Sequence, residues 1–302
     1  MPYQTRLCIA GIRFNISTPD NIRLTAPDDP YTAFIDPDNS VPVAREVTVD
    51  VQIGAIPTPD PHTRIFNSGI GWSLHQMDSG SLFVFDPEAT GRPLWIAKVR
   101  KDWSQITVFC SDALVQKQPD HRTLFNPVAY PLDQILMIYL LSRIDGAIVH
   151  AAGLQINHES VIFAGKSGAG KSTLTRLMAD PTKYRWLSDD RMVVRNLSGK
   201  FQAFGTPWPG EARIAVNTGL PMIGIFFLNQ SHENHIKPLH HQEAVERLLP
   251  VTSIPWYDPA VFPEILQSCE SLIQKVPAYE LSFQPKETVG DVISQWVLKA
   301  LD

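Results

Sequence analysis

The sequence predicts a mixed protein, α+β overall, with a β-rich first part and an α/β second part. Three observations carry that expectation. Residues 1–125 alternate apolar and polar residues in short runs, with turn residues between them. Near Asn126-Pro127 the pattern changes to strands and helices in mixture. Within that second part, a glycine-rich segment lies between an apolar, β-rich run and a helical sequence. The expected domains are therefore 1–125 and 126–302.

In the first part, Thr5–Ile16, Glu46–Ile56, Ser81–Asp86, Leu94–Val99 and Gln105–Cys110 have strand composition. Turns are expected at Pro27-Asp28-Asp29-Pro30, Asp36-Pro37-Asp38-Asn39 and Asp78-Ser79-Gly80. This part reads as a small antiparallel domain without a catalytic motif. The second part opens with an apolar helix, Pro131–Ile144, with Pro at its start and Asp145-Gly146 at its end. Strands follow at Ala147–Ile156 and Ser160–Ala164, separated by Asn157-His158-Glu159. After the glycine-rich segment come a helix from Lys171 to Ala179 and a strand from Arg185 to Arg195. Pro221–Leu228 reads as a buried strand, Gln242–Leu249 and Asp258–Val276 as helices, Ala278–Phe283 as a strand and Thr288–Leu301 as an amphipathic helix.

Composition bounds the function. The chain of 302 residues has 44% hydrophobic and 19% charged residues and a formal net charge of -5, which excludes a disordered chain. That charge argues against a general nucleic-acid or anionic-membrane coat. Cys8, Cys110 and Cys269 are few, odd in number and without a CxxC pair, as expected of reduced thiols and not of a disulfide framework or a thiolate zinc site. No run is long enough for a signal peptide or a membrane span, so a soluble, cytoplasmic protein is expected.

Gly165-Lys166-Ser167-Gly168-Ala169-Gly170-Lys171-Ser172 fits G-x-x-x-x-G-K-[ST], the Walker A phosphate loop. Four fixed positions match by chance in roughly one chain of this length per hundred. The strand before it and the helix after it supply the context the chemistry needs. Glycines let backbone N–H groups turn towards phosphate oxygens, and the helix start adds positive potential there. Lys171 would bridge the β- and γ-phosphates of ATP and the Ser172 hydroxyl would ligate Mg²⁺, with Thr173 closing the set. A plain glycine turn before a helix is the alternative.

Asp189 and Asp190 follow Ser172 by only 17 and 18 positions, so one short helix and a return strand bring them back to the loop. Phosphoryl transfer needs a carboxylate at Mg²⁺ and another to take the acceptor proton. On a regular strand the two would face opposite ways, and a bulge or strand end would let both reach the nucleotide. A solvated Asp-Asp turn is the alternative. His150 lies on the strand before the loop strand and would face the γ-phosphate, or else be a core histidine. In Gly205-Thr206-Pro207-Trp208-Pro209-Gly210-Glu211, Glu211 offers a third carboxylate for Mg²⁺ or the acceptor, and Arg213 a phosphate contact; a surface loop packed by Trp208 accounts for the stretch equally well. His240-His241 read as a solvated helix start.

His150, the phosphate loop and Leu187-Ser188-Asp189-Asp190 together resemble the HPr serine kinase family, over roughly residues 130–302. In that family a His opens a hairpin leading to G-x-S-G-x-G-K-S, and a short helix returns to an acidic pair. Thr173 stands where the family has Glu, and the E-I-R-G-L-G signature of the bifunctional kinase/phosphorylases is not found. The stretch from Gly205 onward is closer to divergent members, including kinases that tailor lasso peptides. The resemblance implies a P-loop core of the phosphoenolpyruvate carboxykinase type, Mg-ATP as phosphoryl donor, a Ser/Thr hydroxyl of a protein or peptide as acceptor, and a homo-oligomer. Transporter ATPases and guanylate kinases share the loop, but the LSGGQ-like segment of the first is absent, and the second would not have a His strand 15 residues upstream. Two other readings stay open: an enzyme acting on a small metabolite, and a nucleotide-binding regulatory protein without turnover.

Overall fold

The computed structural model describes residues 2–25, 29–36, 38, 41, 43–88 and 90–301. Of the turns expected at 27–30 and 36–39, residues 27, 28, 37 and 39 lie outside them. The chain divides into two compact units, Met1–Gln134 and Ile135–Asp302.

In the first unit the strands are β1 (Pro2–Ile9), β2 (Ile12–Asp20), β3 (Ile22–Thr25), β4 (Arg45–Ile53), β5 (Arg64–Asn67), β6 (Trp72–Met77), β7 (Gly80–Phe85), β8 (Trp95–Arg100), β9 (Gln105–Cys110), β10 (Val115–Lys117) and β11 (Arg122–Phe125). Among the described residues, eight of them form one sheet in the order β1-β2-β4-β9-β8-β7-β6-β5. The run expected from Thr5 to Ile16 is two strands, because Ala10 (φ 48°) and Gly11 (φ 74°) turn the chain there. The antiparallel expectation is corrected at the sheet's centre: β2 pairs with β4, and β4 with β9, in parallel. A second, small sheet joins β3 to β11, also in parallel, with β10 beside it. Along β4 the inward residues Val47, Val49 and Val51 are buried and alternate with more exposed neighbours, the signature of a sheet packed on one face.

Helix α1 (Leu132–Ser142) follows. The second unit contains β12 (Gly146–Ile156), β13 (Glu159–Ala164), α2 (Lys171–Leu177), β14 (Arg185–Ser188), β15 (Arg191–Leu197), β16 (Lys200–Phe204), β17 (Gly219–Gln230), β18 (His235–Pro238), α3 (His241–Leu248), α4 (Phe262–Lys275), β19 (Ala278–Phe283) and α5 (Val289–Leu301). The strand order is β13-β12-β15-β16-β17-β19-β18, and a parallel pairing from β17 back to β13 closes the path. Its core gathers Phe163, Leu174, Trp186, Phe226, Phe283 and Ile293. Phe226 is its hinge point: it stacks on Phe163 and on Tyr279, each at 5.3 Å, and takes the edge of Trp296 from α5 at 4.8 Å. Among the described residues no helix is long and apolar enough to cross a membrane.

Two features of this unit position the candidate site. Strand β12 changes partner halfway: residues 146–150 pair with β15, and residues 151–156 with β13 and, in part, β14. The single strand expected from Arg185 to Arg195 is broken at Asp189-Asp190, between β14 and β15.

Candidate phosphate-binding site

His150 sits where β12 switches partners. Its carbonyl accepts from Gly165 N (3.2 Å), and the next amide, Ala151 N, donates to Asp190 O (3.0 Å). Backbone bonds at adjacent positions thus tie together the histidine strand, the first residue of the glycine loop and the acidic pair. These three motifs are separate in sequence, and the partner switch is what brings them to one point.

The loop itself is shaped by close approaches. A Cβ on Gly165 would lie 2.6 Å from Ala169 Cβ, so the loop can double back only with glycine there. Ala169 N donates to Lys166 O (3.0 Å), closing the turn. Gly170 has φ 108° and rests on Phe283, with its missing Cβ only 2.7 Å from Cζ. Lys166, Ser167 and Gly168 are exposed on the rim, while Ala169, Gly170, Ser172 and Thr173 are half-buried. At the end of β17, Gln230 Nε2 donates to Gly168 O (2.7 Å) and holds the rim. Sequence reasoning gave Gln230 and Phe283 no role at the loop, because Gln230 reaches it through the parallel β13–β17 pairing and Phe283 through the β17–β19 pairing, both between segments distant in sequence.

Lys171 is 6% exposed and its Nζ donates to Gly165 O (3.0 Å). Burial pushes its pKa down; Asp190 and Asp189 pull it back up, and Arg191 adds to the lowering. An ammonium has three donors, so the one bond to Gly165 leaves hydrogens for other oxygens.

The neighbouring carboxylates have different surroundings. Asp190 accepts at Oδ1 from His150 Nε2 (2.8 Å) and at Oδ2 from Arg191 Nε (3.2 Å). Burial raises its pKa, but the His150 hydrogen bond and the charges of His150, Arg191 and Lys171 outweigh it and hold the carboxyl below the usual range. Asp189 is 2% exposed and accepts three backbone N–H bonds: Gly210 N (2.9 Å) and Ile214 N (3.2 Å) at Oδ1, and Ala212 N (2.7 Å) at Oδ2. The strand break therefore leaves one carboxylate facing His150 and the other enclosed by a loop.

Glu211 and Arg213 are exposed on the turn after Gly210, which Arg213 N closes by donating to Gly210 O (3.2 Å). Trp208, in the same stretch, is buried. His240 and His241 are exposed at the start of α3, where His241 Nε2 lies 3.1 Å from Glu270. Among the described residues no three His, Cys, Asp or Glu side chains converge as a metal-binding group. A cleft of about 560 Å³ in the first unit, beside Arg64, Trp72, His75 and Asp86, contains none of the motif residues.

Residues 128–299 match the family described as SynChlorMet cassette protein ScmC. That is a different family from the one the motifs resemble. A solved structure similar to the chain is the Hpr(Ser) kinase/phosphatase from Coxiella burnetii, at 11% identity, covering 51% of this chain and 99% of that one, with a TM-score of 0.32. At that score the likeness transfers neither substrate nor residue roles. No curated protein matches the chain. The family match spans more than half of the 302 residues, and the chain belongs to the family of the SynChlorMet cassette protein ScmC.

Proposed function

We propose that this chain is an ATP-dependent phosphotransferase that places the γ-phosphoryl group on a serine or threonine hydroxyl of a protein or peptide. One observation carries the reading: a nearly buried lysine ammonium is held on the carbonyl at the start of the glycine loop, within the field of a carboxylate bonded to His150. The spare donors of Lys171 and the loop amides suit the phosphate chain, as the loop motif implies.

The oxygen donors also bear on Mg²⁺. Asp189 is enclosed and accepts three backbone N–H bonds, Asp190 accepts one bond on each oxygen, and Glu211 is exposed on its turn. Ser172 is the side chain that would hold the ion, with the rest of its shell coming from phosphate oxygens and water, the usual arrangement for Mg²⁺. When bound it would neutralise phosphate charge.

Asp190 and His150 then form the proton-accepting pair. A carboxylate held ionised is a weak base towards an alcohol, so most of the gain must come from holding the acceptor oxygen in line with phosphorus. Base assistance adds roughly 10²–10⁴-fold. The test is a transfer assay with γ-labelled ATP and Mg²⁺, using the full chain and the products of neighbouring genes as acceptors, since the family is described as a cassette protein. Label on serine or threonine supports the reading. ATP binding without label on any hydroxyl overturns it.

A further inference from the structure

The acidic pair reads from sequence as one functional unit, yet its members are built into different structures. The segment after β16 is stitched along the strand break. Thr206 Oγ1 donates to Arg191 O (2.7 Å), and Val216 N donates to Leu187 O (3.0 Å). Between those stitches, residues 210–214 have their alternate amides turned onto the single carboxylate of Asp189. Gly210 is pressed against both acids: a Cβ there would lie 2.9 Å from Asp189 Oδ2 and 3.1 Å from Asp190 Cβ. The segment therefore lies directly beside Asp190, with Glu211, Ala212 and Arg213 exposed.

We propose that Asp189 is a positioning residue: it pins residues 210–214 beside the His150–Asp190 pair, so that this loop forms one wall of the acceptor site, and it takes no part in the chemistry. The chemical reason is the donor set. A carboxylate can accept at several sites on its two oxygens, so one buried side chain gathers three amide hydrogens and organises the peptides that surround it. A loop of successive turns has few internal bonds, so without that anion the amides of Gly210, Ala212 and Ile214 lose their acceptor and the wall has no fixed shape. This inference rests on the phosphotransferase reading for the identity of the wall, but not for the existence of the clamp.

Two arms of the test need no acceptor. Trypsin cleavage after Arg213, in the native full chain, reads the loop. Asp189→Ala should be cut at least ten times faster than the parent. Asp189→Asn, whose remaining oxygen can still accept from Gly210 and Ile214 but which turns an N–H towards Ala212, should fall between. Equal rates in all three overturn the clamp. The second arm is ATP affinity with Mg²⁺ and with EDTA. Asp189→Ala should leave the ratio of the two within twofold of the parent, whereas a collapse of the ratio makes Asp189 a metal ligand and overturns the proposal. The third arm uses the acceptor that labels in the transfer assay. Asp189→Ala should raise its KM at least tenfold while changing kcat less than threefold, with Asp189→Asn rescuing part of the loss. A fall in kcat at unchanged KM overturns the assignment to the acceptor wall. If no acceptor labels, the phosphotransferase reading fails, and the first two arms still decide what Asp189 does.

Discussion

Gly170→Ala and Gly168→Ala form a matched pair that probes how the loop is held. Both glycines have positive φ, 108° and 82°. An L residue there costs about 1–2 kcal/mol in backbone strain alone. At Gly168 nothing lies within 4 Å of the added methyl, so strain is the whole cost. At Gly170 the methyl would also lie 2.7 Å from Cζ and 3.2 Å from Cε1 of Phe283, a ring only 2% exposed in the core of the second unit. Moving a packed ring adds about 1–3 kcal/mol. Since 1.4 kcal/mol is tenfold in an equilibrium, Gly168→Ala should weaken Mg-ATP binding about tenfold and Gly170→Ala about tenfold more. Calorimetric titration of both variants reads this, with circular dichroism confirming that each is folded. Phe283→Leu in the Gly170→Ala background should restore part of the difference. If Gly170→Ala binds as tightly as Gly168→Ala, Phe283 does not support the loop and the reasoning fails.

Asp190→Asn should keep Mg-ATP affinity and lose transfer by roughly 10²–10⁴-fold, as measured by single-turnover labelling. Because the Asp190 carboxyl is held below its ordinary 3.8, its ionisation adds stability that is complete above that value and is lost as pH falls through the lower folded one. Acid titration of Asp190→Asn against the parent should therefore show a smaller stability loss in the variant below about pH 4. All three thiols are buried, and burial pushes Cys110 up to about 12, Cys269 to about 11, and Cys8 above its usual value. Native protein at pH 8 should not react with a thiol reagent, and unfolded protein should react at all three positions.

What was legible in the sequence follows physical range. The loop and its flanks were readable because Val161–Ala164, the glycines and Lys171 act through neighbours in the chain. The closing helix was readable for the same reason: one apolar face repeats at a fixed period. The parallel pairings of β2, β4 and β9 were not, because they join segments tens of residues apart and alternation is the same for either direction. The hairpin at Ala10-Gly11 was hidden by an alanine at positive φ, where composition gives no warning. Short strands such as β16 and β18 lack enough residues for a period to show.

The site divides along the same line. That His150, Lys171 and Asp190 share one point was suggested by spacing, and the partner switch of β12 gives the geometric reason. The different surroundings of Asp189 could not be read from spacing, since its three partners are backbone amides more than twenty positions away, and any sequence has amides. Gly210 was the one visible sign, because only glycine allows so close an approach to both acids.

If Lys171 and its loop hold the phosphates of a nucleotide, calorimetric titration of Mg-ATP into the parent and into Lys171→Met reads it. Methionine keeps most of the stem's volume and removes the charge. A hydrogen bond from an ammonium to phosphate contributes about 1.5–3 kcal/mol, so the variant should bind about ten to a hundred times more weakly. Its melting temperature should stay equal or rise, because burial disfavours the charged lysine in the folded chain. A parent without Mg-ATP affinity, or a Lys171→Met protein that binds as tightly as the parent, would mean that Lys171 and its loop do not hold a nucleotide's phosphates.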